Sequence, residues 1–299
     1  YEIVRNLPEN VVSIKKAANN RVEISSGTAE FKIVGQAADE FPALPKVDKL
    51  DFTPVEVGSL LEMIEKTQFA ISTEETRYYL NGIYLHAAKG KDAVTLRAVA
   101  TDGHRLARFD LPAPAGSEAM PGVIVPRKTV AEVRKLIDDA DGEVEIAVSD
   151  TKIRFAFGDA VVTSKLIDGT FPDYQRVIPT GNDKPLFVDR AAFQEAVDRV
   201  STVASDRTRA VKMTIEDGKV TLNVVNPEQG SASEELVADF SGDGFDIGFN
   251  ARYLMDITAA LNGDQAQFLF ADAGSPTIVR DAGEKADPAT LYVIMPMRV

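Results

Sequence analysis

The segment Val94-Thr95-Leu96-Arg97-Ala98-Val99 returns 126 positions later as Val220-Thr221-Leu222-Asn223-Val224-Val225, and Phe41-Pro42 returns 130 positions later as Phe171-Pro172. A period of this length, kept in element order, restricts the chain to copies of one architectural unit. Each copy reads as two halves, and each half as a helix with alternating strands. The predicted class is therefore α+β, with antiparallel sheet dominant and helices minor. On that period the first copy shows only its second half, so roughly 70–75 residues are expected ahead of Tyr1.

Taken in order, Ile3, Val4 and Leu7 fit the last turns of a helix stopped by Pro8. Short strands are expected at 11–14, 22–24 and 31–34, with turns at Asn19-Asn20 and Ser25-Ser26-Gly27, and Phe41-Pro42 closes this piece. A strand at 50–53 precedes a helix over 57–69, where Val57, Leu60, Leu61 and Ile64 share helical spacing. Strands at 79–87 and 94–100 form a hairpin through Lys89-Gly90-Lys91-Asp92. A second helix spans 129–137 with Val130, Val133, Leu136 and Ile137 on one stripe. Strands follow at 144–148, 153–157 and 161–166, then a linker at Thr180-Gly181-Asn182-Asp183. A third helix (Phe193, Ala196, Val197, Val200) and a fourth (Leu254, Ile257, Leu261) sit among further alternating strands.

Composition narrows the function classes. At 299 residues the chain is long enough for two or more domains, and 44% hydrophobic with 26% charged residues is ordinary for a globular protein. No apolar run approaches the roughly 18–20 residues of a membrane span. Cysteine is absent, which removes disulfides, thiolate metal sites and a cysteine nucleophile, and fits a reducing, cytoplasmic setting. A net charge of -13 opposes indiscriminate wrapping of nucleic acid, so any DNA contact must be confined to one basic face.

Catalytic chemistry is poorly supplied. His86 and His104 are the two histidines, and neither has a ligand partner at i+3 or i+4. His86 alternates along a strand. Asp138-Asp139-Ala140-Asp141-Gly142-Glu143 lacks the bidentate Glu of a calcium loop and reads as a turn after a helix. No nucleophile elbow, phosphate loop or dinucleotide fingerprint is present. No cofactor, metal or catalytic residue is expected. A hydrolase using carboxylates such as Asp102 or Asp141 is the weakest reading.

Three stretches carry more information. Ala100-Thr101-Asp102-Gly103-His104-Arg105-Leu106-Ala107-Arg108 reads as a tight strand-to-strand corner, with Asp-Gly as the turn and His104 and Arg105 projecting polar tips. Gly169-Thr170-Phe171-Pro172-Asp173-Tyr174 is the second. The terminus, Tyr292-Val293-Ile294-Met295-Pro296-Met297-Arg298-Val299, is the third. Leu291, Val293, Met295 and Met297 fall on one side of a terminal strand, and Pro296 blocks further pairing at that edge. Leu291 and Val293 either finish the last sheet or meet a partner. Met295, Pro296 and Met297 suit a partner pocket, because unbranched, polarizable methionine adapts to different peptides.

Together with Arg77-Tyr78-Tyr79-Leu80-Asn81-Gly82, Val125-Pro126-Arg127-Lys128 and Gly248-Phe249-Asn250, these stretches resemble the bacterial sliding clamp family, the DNA polymerase III beta subunits, over essentially the whole chain. The resemblance implies a DNA-clamp fold of repeated domains, helices lining a ring and sheets outside. Residues 1–49 would be the second half of a first domain, 50–182 the second domain and 183–299 the third. It implies a non-catalytic processivity factor that encircles duplex DNA without regard to sequence. A hydrophobic groove would accept linear motifs from the replicative polymerase, the clamp loader and repair proteins. The full-length chain would be a homodimer, with no membrane partner. With half the first domain absent, a monomer or a poorly closing dimer is expected.

Position by position, the resemblance assigns one groove wall to Leu80, Thr101, Gly103, His104, Arg105 and Leu106 with Pro172 and Val177. The facing side would be Val293, Met295, Pro296, Met297 and Arg298, with Val299 where the family more often ends in Leu. DNA contact falls to Arg77, Tyr78 and Tyr79, and to Arg127 and Lys128. The last two open a helix with four cations (Arg127, Lys128, Arg134, Lys135) against one anion, Glu132, a basic footprint in an acidic chain. The other readings are a solvated helix face and two half-buried strand tyrosines. A β-rich peptide-binding scaffold with no nucleic-acid role is the alternative for the whole chain.

Overall fold

The computed structural model describes residues 1–8, 11–40, 52–90, 93–118, 120–138, 140–204 and 209–299. Phe41-Pro42, Leu50 and Asp51, Lys91 and Asp92, and Asp139 lie outside the described residues. Contacts divide the chain into two units, 1–48 and 49–299.

The first unit holds α1 (Glu2–Arg5) and an antiparallel sheet of β1 (Ser13–Lys16), β2 (Arg21–Ser26) and β3 (Ala29–Val34) in that order. β1 starts two residues later than periodicity predicts. Asn19 and Asn20, both at positive φ, make the β1–β2 turn, a conformation asparagine tolerates better than most residues.

The second unit begins β4 (Phe52–Glu56), α2 (Val57–Thr67), β5 (Gly82–Lys89), β6 (Val94–Thr101), β7 (Arg105–Pro112), β8 (Val123–Pro126), α3 (Arg127–Ile137), β9 (Glu143–Val148), β10 (Lys152–Phe157) and β11 (Ala160–Lys165). The same order then recurs as β12 (Lys184–Asp189), α4 (Arg190–Ser201), β13 (Ala210–Glu216), β14 (Lys219–Asn226), β15 (Gly230–Val237), β16 (Phe245–Asn250), α5 (Ala251–Ala259), β17 (Gln265–Phe270), β18 (Thr277–Ala282) and β19 (Thr290–Ile294). The sheets repeat as well. The first series forms β11-β10-β9-β4 and β7-β6-β5-β8, the second β19-β18-β17-β12 and β15-β14-β13-β16. β6 and β14, the strands that revealed the period, hold equivalent places. The first unit, α1-β1-β2-β3, follows the order of α3-β9-β10-β11.

One pairing fuses the two series. β19 pairs antiparallel with β7, Val293 opposite Leu106 and Ile294 opposite Arg105, so two four-stranded sheets become one of eight strands. The terminal strand is therefore interior, not an edge, and all five of its residues are buried. Leu291 and Val293 finish a sheet. Pro296 lies beyond the strand and blocks no pairing within it.

The helices bury single stripes. Val57, Leu60, Met63 and Ile64 of α2 and Val130, Val133 and Ile137 of α3 meet the core. Leu136, expected on that stripe, is 45% exposed, because the buried face of an eleven-residue helix is narrower than the apolar pattern. The α4 and α5 N-termini are capped, Asp189 Oδ1 accepting from Ala192 N and Asn250 Oδ1 from Arg252 N. The linker expected at 180–183 is pinned, since Asn182 Nδ2 donates to Leu269 O and Pro276 O.

Candidate functional site

The corner between β6 and β7 is tied by its own side chains. Asp102 Oδ1 accepts from His104 N and Arg105 N at 2.9 and 3.0 Å. Thr101 Oγ1 donates to Arg105 O at 2.7 Å and accepts from Gly103 N. Gly103 sits at φ +87°, and a Cβ there would fall 2.5 Å from Arg77 Nη1. The positive φ is what favours glycine here, since the Arg77 tip is flexible enough to give way. Arg77 reaches the corner itself, donating to Asp102 O at 3.2 Å.

Strand parity then sends neighbours to opposite faces. Leu106 and Val293 join a small apolar cluster with Leu80, Val99, Ile124, Phe171, Tyr174, Ile278 and Leu291. Ala107, Phe109, Tyr292 and Ile294 belong to the main core. Arg105 shares the parity of Ala107, so its tip does not project beside His104 as expected. It is 7% exposed. Its Nη1 donates to Asp256 Oδ2 and its Nη2 to Phe69 O, both at 2.6 Å, and its Nε to Asp102 Oδ2. Its guanidinium carbon lies 4.4 Å from the Tyr253 ring centroid and 5.2 Å from that of Phe69. A guanidinium turned to the core side has no other way to satisfy its donors. His104 is exposed as expected, its ring centroid 6.4 Å from that of Tyr253.

Beyond β19 the terminus crosses the corner. Met295 N donates to His104 O at 2.8 Å, and Met297 N to Gly248 O at 2.7 Å. Met295 is 36% exposed, Pro296 and Met297 are half-buried, and Arg298 is exposed. Pro296 to Val299 line a cleft of about 600 Å³ with Lys212, Asp246, Gly248 and Gly274. Lys212 Nζ, 2.8 Å from Asp246, holds that carboxyl below its ordinary range. Gly248 permits this approach, because a Cβ there would strike Val299 and sit 2.8 Å from Met297 O.

Pro172 and the 46%-exposed Val177 flank Phe171 and Tyr174, whose rings enter the small cluster. The structure thus gathers Leu80, Leu106 and Val293 as one apolar floor. Thr101, Gly103 and His104 stand at its corner, and Met295 passes over that corner. Sequence reasoning missed Tyr253 and assigned no groove role to Gly248 or Gly274. Gly248-Phe249-Asn250 was singled out without a role, and nothing in the sequence around Tyr253 announced that α5 would face the corner.

The proposed DNA contacts differ among themselves. Residues 75–80 form a 3-10 turn ahead of β5, so Tyr78 and Tyr79 are not strand residues. Tyr78 is 54% exposed and meets Tyr79 edge-on at 5.8 Å. Arg77 is held by Glu74, Nε to Oε2 at 2.9 Å. On α3, Arg134 pairs with Glu65 of α2 at 2.9 Å and Lys135 with Glu132 at 3.4 Å. Arg127 and Lys128 are exposed and make no ion pair among the described residues. His86 is half-buried, its Nε2 3.0 Å from the Tyr174 hydroxyl. No cluster of three metal-ligating side chains occurs among the described residues.

Comparison with known proteins agrees with this geometry. Residues 54–173 match the family model for the central domain of the DNA polymerase III beta subunit, and 175–298 the model for its C-terminal domain. The beta sliding clamp of Caulobacter vibrioides is 49% identical over 301 residues, covering 100% of this chain and 80% of that protein. A Bartonella birtlesii DnaN sliding clamp solved bound to griselimycin superposes with a TM-score of 0.93 at 48% identity, over 100% of this chain and 80% of that one. The C. crescentus clamp, solved with PEG in a region described as beta-motif tethering, gives 0.94 at 49% identity, over 100% and 79%. The chain belongs to the bacterial beta sliding clamp family, the non-catalytic beta subunits of DNA polymerase III that serve replication as processivity factors.

Proposed function

We propose that the chain contributes to a ring around duplex DNA and holds the replicative polymerase, the clamp loader and other motif-bearing proteins in the groove built at the β19–β7 junction. Residues 1–49 act as the second half of a first clamp domain, 50–182 as the second domain and 183–299 as the third. The floor is Leu80, Leu106 and Val293, and the rims are Pro172 and Val177 on one side, Met295, Pro296, Met297 and Arg298 on the other. Thr101, Gly103 and His104 form the corner, with Arg105 bracing it from behind. One observation carries the reading: the Met295 amide bonds His104 O, which seats the chain terminus on the corner.

Ring closure follows from applying that junction again. β19 sits at one sheet end of the second series and joins β7 at the equivalent end of the first. The counterpart of β7 in the second series is β15, an edge strand among the described residues that ends at the 89%-exposed Val237. The counterpart of β19 in the first unit is β3, with Phe31, Ile33 and Val34 exposed. Pairing β15 with β3 of another copy extends the pattern head to tail, the junction expected in the homodimer of the full-length chain. A polymerase tethered to such a ring stays at high effective concentration near its template.

A fluorescence-polarisation titration with a labelled Gln-Leu-x-Leu-Phe peptide tests the groove. Saturable binding that weakens about tenfold in Met297→Ala is expected, the order of one buried anchor. Equal binding by both proteins would remove the terminus from the site.

A further inference from the structure

The rim carrying Pro172 and Val177 is held to the sheet through side chains, Phe171 and Tyr174 foremost, with Ile178 packed beside them. After Ile167 N, which donates to Ile124 O, residues 168–181 make no backbone–backbone hydrogen bond to any strand among the described residues. Arg176 N and Val177 N bond back within the segment, to Asp173 O and Tyr174 O. Phe171 stacks on Tyr84 of β5 with centroids 4.8 Å apart at 7°. Tyr174, 5% exposed, places its hydroxyl 3.2 Å from Arg97 Nη1 and 3.0 Å from His86 Nε2.

The proton positions follow from the partners. Ala87 O, 3.1 Å from His86 Nδ1, can only accept, so in the neutral ring Nδ1 carries the proton. Nε2 is then an acceptor, and the Tyr174 hydroxyl donates its hydrogen bond to it. Arg97 donates to the same hydroxyl while its Nε and Nη2 grip Asp110 at 2.5 and 2.7 Å. A protonated His86 would turn Nε2 into a donor. Two cationic donors would then face one hydroxyl, whose own proton would have no acceptor.

We propose that His86 is a positioning residue for the peptide groove: neutral, it seats Tyr174 and the 171–177 rim, and protonated, it releases them and weakens peptide binding. The inference rests on the groove reading above. The charged and titratable groups around His86 come from five elements. Tyr84 on β5 stacks on it at 4.7 Å, and Arg97 on β6 opposes a second cation. On β7, Asp110 favours protonation, but it is shared with Arg97 and with Arg108 at 3.6 Å, and Arg280 of β18 adds positive charge beside Arg108. The fifth is the 174–176 turn, with Tyr174 itself. Burial outweighs these and holds the ring below its ordinary 6.5, so it is neutral at physiological pH.

The test titrates a labelled Gln-Leu-x-Leu-Phe peptide at pH 7.5 and 5.5 against the wild-type chain, His86→Gln, His86→Ala and His104→Gln, with folding checked by thermal melting. Wild-type affinity should fall several-fold between the two pH values, and His104→Gln, which removes the groove's other imidazole, should keep the part of that fall that belongs to His86. His86→Gln, whose amide oxygen can accept the tyrosine hydrogen bond, should lose that part of the pH dependence, and His86→Ala should already be weakened at pH 7.5. A full wild-type pH dependence in His86→Gln would overturn the proposal. A second measurement needs no peptide: NMR titration should move the amides of residues 170–177 with the midpoint of the His86 ring. A ring that titrates while those amides stay still would overturn the inference whatever the peptide does, whereas a wild-type chain that binds no peptide at pH 7.5 while the amides follow His86 would sink the groove reading, and with it the functional half of this one.

Discussion

Arg105 Nη1 bonds Asp256 Oδ2 at 2.6 Å across 151 positions of sequence, joining the first strand residue after the corner to α5 of the next series. Asp102 and Phe69 O occupy its other donors, so one 7%-exposed side chain ties the corner, the end of α2 and α5 together. Removing the cation leaves Asp102 with only its backbone donors and Asp256 with only the 3.8 Å contact to Arg252, and Arg105→Ala should cost about 3 kcal/mol in urea unfolding. Asp256→Asn leaves Asp102 and the carbonyl in place and should cost about 1 kcal/mol. An Arg105→Ala cost below that of Asp256→Asn would show that the guanidinium is not the hub.

The elements with strong period were legible in sequence. Val57, Leu60 and Ile64 placed α2 to within two residues at its end, and the match of 94–99 to 220–225 fixed the repeat that the sheets obey. What failed was whatever depended on partners remote in sequence. Nothing near Arg105 reveals Asp256, and nothing near Leu291 reveals that β7 would cover the terminal strand. Tyr78 and Tyr79 have strand propensity, but tertiary context places them in a 3-10 turn, where Gly169 lets Tyr79 approach: a Cβ on it would lie 3.1 Å from Tyr79 Cβ. The residues proposed for the groove stand out through short motifs. The residues that orient them, Tyr253 and Gly248, needed coordinates.

Gly248 offers a way to loosen the terminus without touching the peptide surface directly. A Cβ at this position meets Val299 and Met297 O, so Gly248→Ala must push the terminus off β16 and break the Met297 amide bond. The loss of one hydrogen bond limits the stability cost to about 1–2 kcal/mol. Peptide affinity should fall about tenfold or more, because Met295 to Met297 lose their fixed position. Unchanged affinity would mean that the terminal residues bind without that anchor.

Alkaline pH should expose the burial of Tyr292. Its side chain is fully buried, and burial, followed by the nearby Asp281, Asp287 and Glu62, pushes its hydroxyl well above the ordinary 10.0. Burial raises Tyr84 and Tyr253 in the same direction. Above pH 10 the unfolded chain releases protons that the folded chain keeps, so stability falls as pH rises. Each such tyrosine adds up to about 1.4 kcal/mol per pH unit to that fall. Tyr292→Phe should reduce the slope by about one tyrosine's share, and its hydroxyl bond to Ala260 O, 3.4 Å long, is weak enough that stability at pH 8 should change by less than about 1 kcal/mol. An unaltered alkaline slope in the variant would place the titrating group elsewhere.

Arg127 and Lys128 stand at the positive end of α3, where cations are unfavourable by about 0.3–1 kcal/mol each. Alanine at either position should therefore leave stability equal or slightly raised, while weakening attachment to duplex DNA. If both side chains meet phosphates, each substitution should lower the slope of log K against log salt by about 0.9. Arg134 is partly neutralised by Glu65, and Arg134→Ala should change the slope by less than half as much. Anisotropy titrations of a labelled duplex between about 20 and 200 mM salt measure all three, and a second duplex of unrelated sequence should give the same losses. Equal slopes for wild type and the Arg127→Ala/Lys128→Ala pair would move the DNA surface off α3, and a sequence-dependent loss would contradict a contact made to phosphates alone.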